Sequence, residues 1–176
     1  MEVSLLQRLK KAGEPQKQRL PKVLHAMEMM LVEQRTSDLE RDRDLDWEYE
    51  HMNDSIRYAK MLALRRKLDP DLAACSVAVQ NIGRITTGKT EGHAEAGYEP
   101  AKRLLTGLGC FTPAEVEQLA SAVRNHSRKE RIDSPLDELA KDVDVYVRYV
   151  LGSEPTTDYE IRRLSTIKLE LQTKIA

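Results

Sequence analysis

The 176 residues carry 28 Lys and Arg against 29 Asp and Glu, a formal net charge of -1, with 40% hydrophobic and 32% charged residues. That length suits one domain with a buried core and is short for two. Balanced charge argues against a protein built to coat nucleic acid, while a local basic patch would still serve a small phosphorylated ligand. Cys75 lies in an apolar run and Cys110 in a Gly-Cys-Phe turn, so no disulfide framework is expected. No apolar run approaches the roughly 20 residues needed to span a bilayer. The N-terminus lacks the charged-then-apolar pattern of a secretory signal. No membrane partner is expected, and the cytoplasm is the expected compartment.

Residues 3–12 are a first amphipathic candidate. Pro21 suits a first helical turn, and Leu20, Val23, Leu24, Met27, Met30 and Leu31 recur at helical spacing. Residues 36–50 are densely charged and read as a solvated connection plus the first turn of the next helix. From Trp47 to about Lys67, Met52, Ile56, Ala59 and Ala63 form one stripe, and Asp69-Pro70 breaks the chain. Residues 72–79 are apolar or small almost throughout, a pattern that fits a buried helix or a buried strand. Gly83 is expected to end that run, with a polar loop to about Glu91. Ala94, Gly97, Ala101, Leu104, Leu105 and Leu108 make the next helix face.

Thr112-Pro113-Ala114-Glu115 and Ser134-Pro135-Leu136-Asp137 are strong helix starts, each followed by an apolar stripe. Residues 157–175 form a last amphipathic helix. One Phe, one Trp and almost no strand-like alternation complete the pattern. It predicts an all-α bundle of seven or eight helices with no sheet, in which residues 72–79 are the most buried helix. Residues 1–46 are expected to be a helical extension packed on a core of residues 47–150, with 151–176 as a C-terminal helix, in a single domain. Self-association through the N-terminal extension would give a homo-oligomer.

Of the four histidines, His51, His93 and His126 lie beside an apolar stripe, while His25 stands apart in the helix of Leu20 to Leu31. On a helical wheel His126 follows Val116, Leu119 and Val123, so it should point inward. Asp144 shares a face with Ala140, Val147 and Leu151, and Asp142 points further away. An inward carboxylate is costly unless a cation, a histidine or an Arg pairs with it. Arg124, Arg128, Lys129 and Arg131 cluster around His126, and Arg84 follows Gly83. These are the candidate phosphate-binding groups, although charge runs are more often solvated faces.

The order of these residues resembles the HD-domain superfamily of metal-dependent phosphohydrolases. The chain has His51 in Glu-His-Met-Asn, then Val77-Ala-Val-Gln-Asn-Ile-Gly-Arg84, Gly92-His93-Ala-Glu-Ala-Gly, Asn125-His126-Ser and Asp142-Val-Asp144. The resemblance covers roughly residues 47–150. It implies that His51, His93, His126 and a late Asp, Asp144 or Asp142, are ligands of one or two divalent ions. Such a site would take Mn, Fe, Zn or Mg, which polarise a phosphoryl group and generate a hydroxide nucleophile.

Where that family has a His-Asp pair, this chain has Gln80-Asn81. Two neutral amides supply neither the imidazole nor the bridging anion, so any divalent ion should be weakly held or absent. Changing both back, Gln80→His with Asn81→Asp, is expected to restore tight binding. The expected function is a binding or regulatory module with impaired catalysis. The alternative is a working phosphohydrolase acting on nucleotides or other small phosphoesters. The histidines could also be metal-free core residues, and Gln80 and Asn81 simple helix caps.

Overall fold

Short polar side chains placed just ahead of an apolar stripe fix where several of the helices begin. This computed structural model, which describes residues 19–172, contains eight helices there. These are α1 (Arg19–Gln34), α2 (Leu45–Arg65), α3 (Pro70–Val79), α4 (Ile82–Thr87), α5 (His93–Gly107), α6 (Pro113–Asn125), α7 (Pro135–Val150) and α8 (Asp158–Gln172). The candidate at residues 3–12, and residues 173–175 of the expected last helix, lie outside the described residues.

Asp44 caps α2 by accepting from the Trp47 N–H, and Asp69 caps α3 by accepting from Asp71 and Leu72. Thr112 with Glu115, and Ser134 with Asp137, form reciprocal capping boxes at α6 and α7. Each satisfies backbone donors that a bare helix end would leave unpaired. No strand occurs among the described residues, so the fold is all-α as the periodicity predicts.

Helix α3 is the hub. Residues Ala73 to Val79 are all buried, and the helix packs against α1, α2, α6 and α7. A helix covered on every side needs no polar face, which explains its uniform apolar sequence. One continuous core includes Leu20, Val23, Met27 and Leu31 of α1 and Leu164 and Ile167 of α8. Both flanking helices therefore pack on the core. The α1 methionines divide: Met27 is buried and Met29 exposed. Cys75 is buried, and burial pushes its thiol pKa up.

Gly83 does not end a helix. The chain turns earlier, at Gln80 and Asn81, and Gly83 sits in the first turn of α4. Its role is close approach: a Cβ there would lie 2.0 Å from the His93 carbonyl oxygen and 2.6 Å from the Gly97 nitrogen. Gly97 reciprocates, so α4 and α5 cross nearly backbone to backbone. The polar loop expected up to Glu91 is thereby shortened to residues 88–92.

Candidate functional site

The crossing of α4 and α5 brings His93, the first residue of α5, over the end of α6, where His126 is the C-cap. Each ring is held by its own helix end: His93 Nδ1 donates to the Thr90 carbonyl and His126 Nδ1 to the Val123 carbonyl, both at 2.6 Å. The two Nε2 atoms then face each other at 3.0 Å. Burial lowers the pKa of both, that of His126 to about 3. With both protons on Nδ1, two acceptor lone pairs converge on one point.

A second cluster lies at the start of α2, the α3–α4 turn and α7. His51 is fully buried; its Nδ1 accepts from Asn81 Nδ2 at 3.2 Å, and Ser55 Oγ stands 3.4 Å away. Its proton is thereby assigned to Nε2, which lies 3.3 Å from Asp144 Oδ1. The contact is close but lacks hydrogen-bond alignment, since Nε2 has no hydrogen-bond partner. The other Asp144 oxygen, Oδ2, accepts from Lys129 Nζ at 2.6 Å, and Arg148 stands 3.5 Å away. Burial alone would raise the Asp144 carboxyl; the Lys129 ammonium overrides it and holds Asp144 well below the carboxylate range.

Both clusters border a cavity of about 340 Å³. His93, His126, Lys129 and Asp144 line it, while His51, Gln80 and Asn81 are buried behind its wall. Gln80 has hydrogen-bond partners on neither amide atom, and Asn81 Oδ1 has none. Arg84 lines the cavity, paired with the buried Glu48 and lying over the Trp47 ring at 4.9 Å. The structure thus gathers His51, Asn81, His93, His126 and Asp144 into one region, from α2, the α3–α4 turn, α5, α6 and α7. Asp142 is turned away, paired with Arg66 and Arg163 at 2.7 Å each.

Three of the basic candidates are elsewhere. Arg124 lies over the Tyr98 ring at 4.3 Å, Arg128 pairs with Glu95 at 3.1 Å and Arg131 with Glu130 at 3.8 Å; none lines the cavity. Arg124, on α6, faces Tyr98 of α5, whereas Arg128 and Arg131 lie in the loop after α6. Sequence reasoning missed Arg43, Trp47, Arg148, Ser153, Thr156 and Glu160, which line the wall together with Thr90, Ser127 and Glu154. Trp47 stands four residues before His51 and Arg148 four after Asp144, so helix periodicity places both on the site face. The segment around 153–160 lies beyond the reach of the resemblance. There Glu160 pairs with Arg148 at 3.0 Å and accepts from the Thr156 N–H, folding the α7–α8 connection against the opening.

The residues at the His51–Asp144 position do not fit the divalent ion that the resemblance implies. One carboxylate oxygen is committed to an ammonium, Gln80 and Asn81 are uncharged, and Gln80 lies off the cavity. Among the described residues no group of three or more His, Cys, Asp or Glu side chains is arranged to hold an ion. What the arrangement offers is a wall of four cations, Arg43, Arg84, Lys129 and Arg148, against three carboxylates, Asp144, Glu154 and Glu160. Hydroxyls of Thr90, Ser127, Ser153 and Thr156 lie between them. No protein-family model, curated protein or solved structure matches this chain.

Proposed function

We propose that this chain is a degenerate HD-like domain that binds a small phosphorylated ligand and acts as a binding or regulatory module rather than a phosphohydrolase. The observation that carries this reading is the cavity itself: lined by four cations of which Arg43 has no carboxylate partner, rich in hydroxyls, and sized at the lower end of small-ligand sites. Three of its cations are partnered by carboxylates: Arg84 by Glu48, Lys129 by Asp144, and Arg148 by Asp144 and Glu160. Arg43 rests over the Trp47 ring at 5.0 Å and has no carboxylate among its contacts with the described residues. It is therefore the group best placed to meet an incoming anion, with the hydroxyls accepting and donating around it. With Asp144 committed to an ammonium, its position does not suit an ion that could generate hydroxide at neutral pH, so binding would not lead to hydrolysis.

Thermal unfolding in the presence of inorganic pyrophosphate, adenosine monophosphate and adenosine tests this. The two phosphorylated probes should raise the midpoint, adenosine should not, and Arg43→Glu should abolish the rise. Equal stabilisation by adenosine, or none by either phosphorylated probe, would overturn the reading.

The second reading is a phosphohydrolase working with one ion, and the His93–His126 pair favours it. Two imidazole nitrogens about 2.1 Å from one ion and at right angles stand about 3.0 Å apart, which is the separation of these two Nε2 atoms. Stoichiometric metal in protein purified without chelators, with phosphate release from a generic phosphomonoester, would select this second reading.

A further inference from the structure

A buried carboxylate that has lost a metal must find another cation or take up a proton. Asp144 is 5% exposed, and its nearest cation is the Lys129 ammonium, itself 8% exposed. An ammonium has three N–H donors in a pyramid, and Lys129 Nζ has three acceptors. They are Asp144 Oδ2 at 2.6 Å, the His126 carbonyl at 2.6 Å and the Lys141 carbonyl at 3.3 Å. All three donors are thus spent on the protein. The loop that carries Lys129 is fixed from outside, since Arg163 of α8 donates to the carbonyls of Lys129 and Arg131 at 3.0 and 3.1 Å. Lys129 is three residues from His126, so one turn of chain delivers both the histidine and the cation to the cavity.

We propose that the Lys129 ammonium is a built-in replacement for the divalent ion, coordinated by Asp144 and two backbone carbonyls, which neutralises the buried carboxylate without metal. Identifying this place with an ion position rests on the function proposed above; the geometry of the ammonium does not. A fixed ammonium supplies one positive charge and no bound water. The ammonium therefore cannot activate a nucleophile, and chelators cannot strip it. The neutral Gln80-Asn81 pair fits the same picture. A carboxylate at position 81 would compete with Asp144 for a single positive charge.

The test uses the full chain, Lys129→Ala, and the double variant Lys129→Ala with Asp144→Asn, with manganese chloride as the probe. Calorimetry and thermal unfolding are read on each protein. Lys129→Ala frees Asp144 and should bind manganese about tenfold or more tighter than the unaltered chain, with a matching rise in midpoint, on the scale by which single groups tune metal sites. The double variant should lose that gain. A folded Lys129→Ala protein that binds manganese no better than the unaltered chain would overturn the proposal. Should Lys129→Ala fail to fold, Lys129→Met with Asp144→Asn decides: removing both charges should restore a soluble protein. Failure of that protein too would show that Lys129 acts by packing and not as the cation. Pyrophosphate is titrated into the unaltered chain in the same series, and its failure to bind counts against the proposed function alone.

Discussion

His93 and His126 meet Nε2 to Nε2 at 3.0 Å, and each ring is held by a backbone carbonyl rather than by a carboxylate. A carboxylate behind an imidazole favours its charged form, and a carbonyl does so far less. With burial acting on both rings and Lys129 adding positive charge beside His126, the pair is held neutral.

Stability should therefore depend on pH in a defined window. An unfolded histidine takes up its proton near pH 6.5, whereas native His126 does so only at about 3. Between those values the unfolded chain holds more protons, so stability is full above pH 6.5 and falls as pH falls. One histidine kept neutral costs roughly 2–3 kcal/mol between pH 6.5 and 4.5. Asp144, with its depressed pKa, contributes stability above the ordinary carboxylate range and loses it only at lower pH. Urea midpoints at pH 7, 5.5 and 4.5 should decline steadily, and His126→Gln should flatten the decline. An unchanged slope in that variant would assign the effect to other groups.

The α4–α5 crossing should tolerate no side chain at Gly83. An added Cβ meets backbone atoms of His93 and Gly97, which cannot swing aside. Gly83→Ala should cost about 3 kcal/mol, the upper part of the range for overpacking, and should displace His93 and weaken pyrophosphate binding. Gly107, at the end of α5, has open space around its Cβ direction. Gly107→Ala should be neutral or stabilise by up to about 1 kcal/mol through helix propensity. Thermal unfolding of the two single variants checks both; equal effects would refute the close-approach account.

Arg19 ties three elements together. Its buried guanidinium reaches Asp69 at 3.1 Å, Asp71 at 2.8 Å and Glu115 at 2.8 Å, at the starts of α3 and α6. Removing it leaves three carboxylates facing one another. Their partial exposure softens the loss, so Arg19→Ala should cost about 2 kcal/mol. Arg19→Lys should recover only a fraction, because one ammonium cannot span three acceptors held by a planar fork. Denaturant unfolding at low and high salt measures both, and a salt-independent loss would point to packing instead.

Most helices are legible because a start signal or an apolar stripe marks them: Thr112 and Ser134 open α6 and α7 as expected, and residues 72–79 are buried throughout save the half-buried Leu72, whereas α4 has neither signal and lies where a loop is expected. The inward turn of His126 and Asp144 followed from wheel geometry alone. The sequence marks Lys129 as a candidate anion contact, but its engagement with Asp144 depends on how the loop after α6 folds back, which has no period to read. Arg43 and the segment around Ser153 reach the cavity through connections, where sequence spacing does not translate into direction. Gly83 looked like a stop because glycine both ends helices and permits helix crossing, and only the partner backbone distinguishes the two uses.

The Lys129–Asp144 contact also alters what repair of Gln80 and Asn81 should achieve. Introducing a histidine and an aspartate there supplies two potential ligands, yet the ammonium remains 2.6 Å from the carboxylate that an ion would need. Two unit charges of like sign 4 Å apart repel by about 4 kcal/mol near a protein surface, and a divalent ion doubles that. The carboxylate introduced at position 81 could also pair with Lys129 and so hold the competitor more firmly. Gln80→His with Asn81→Asp should therefore bind manganese only weakly. Adding Lys129→Ala to that pair should tighten binding by about 100-fold or more, since it removes the repulsion and frees Asp144 beside His51. Calorimetry on the double and triple variants, with circular dichroism to confirm the helical fold of each, measures the difference. Equal manganese affinity in the two would mean that the ammonium does not occupy the ion's place.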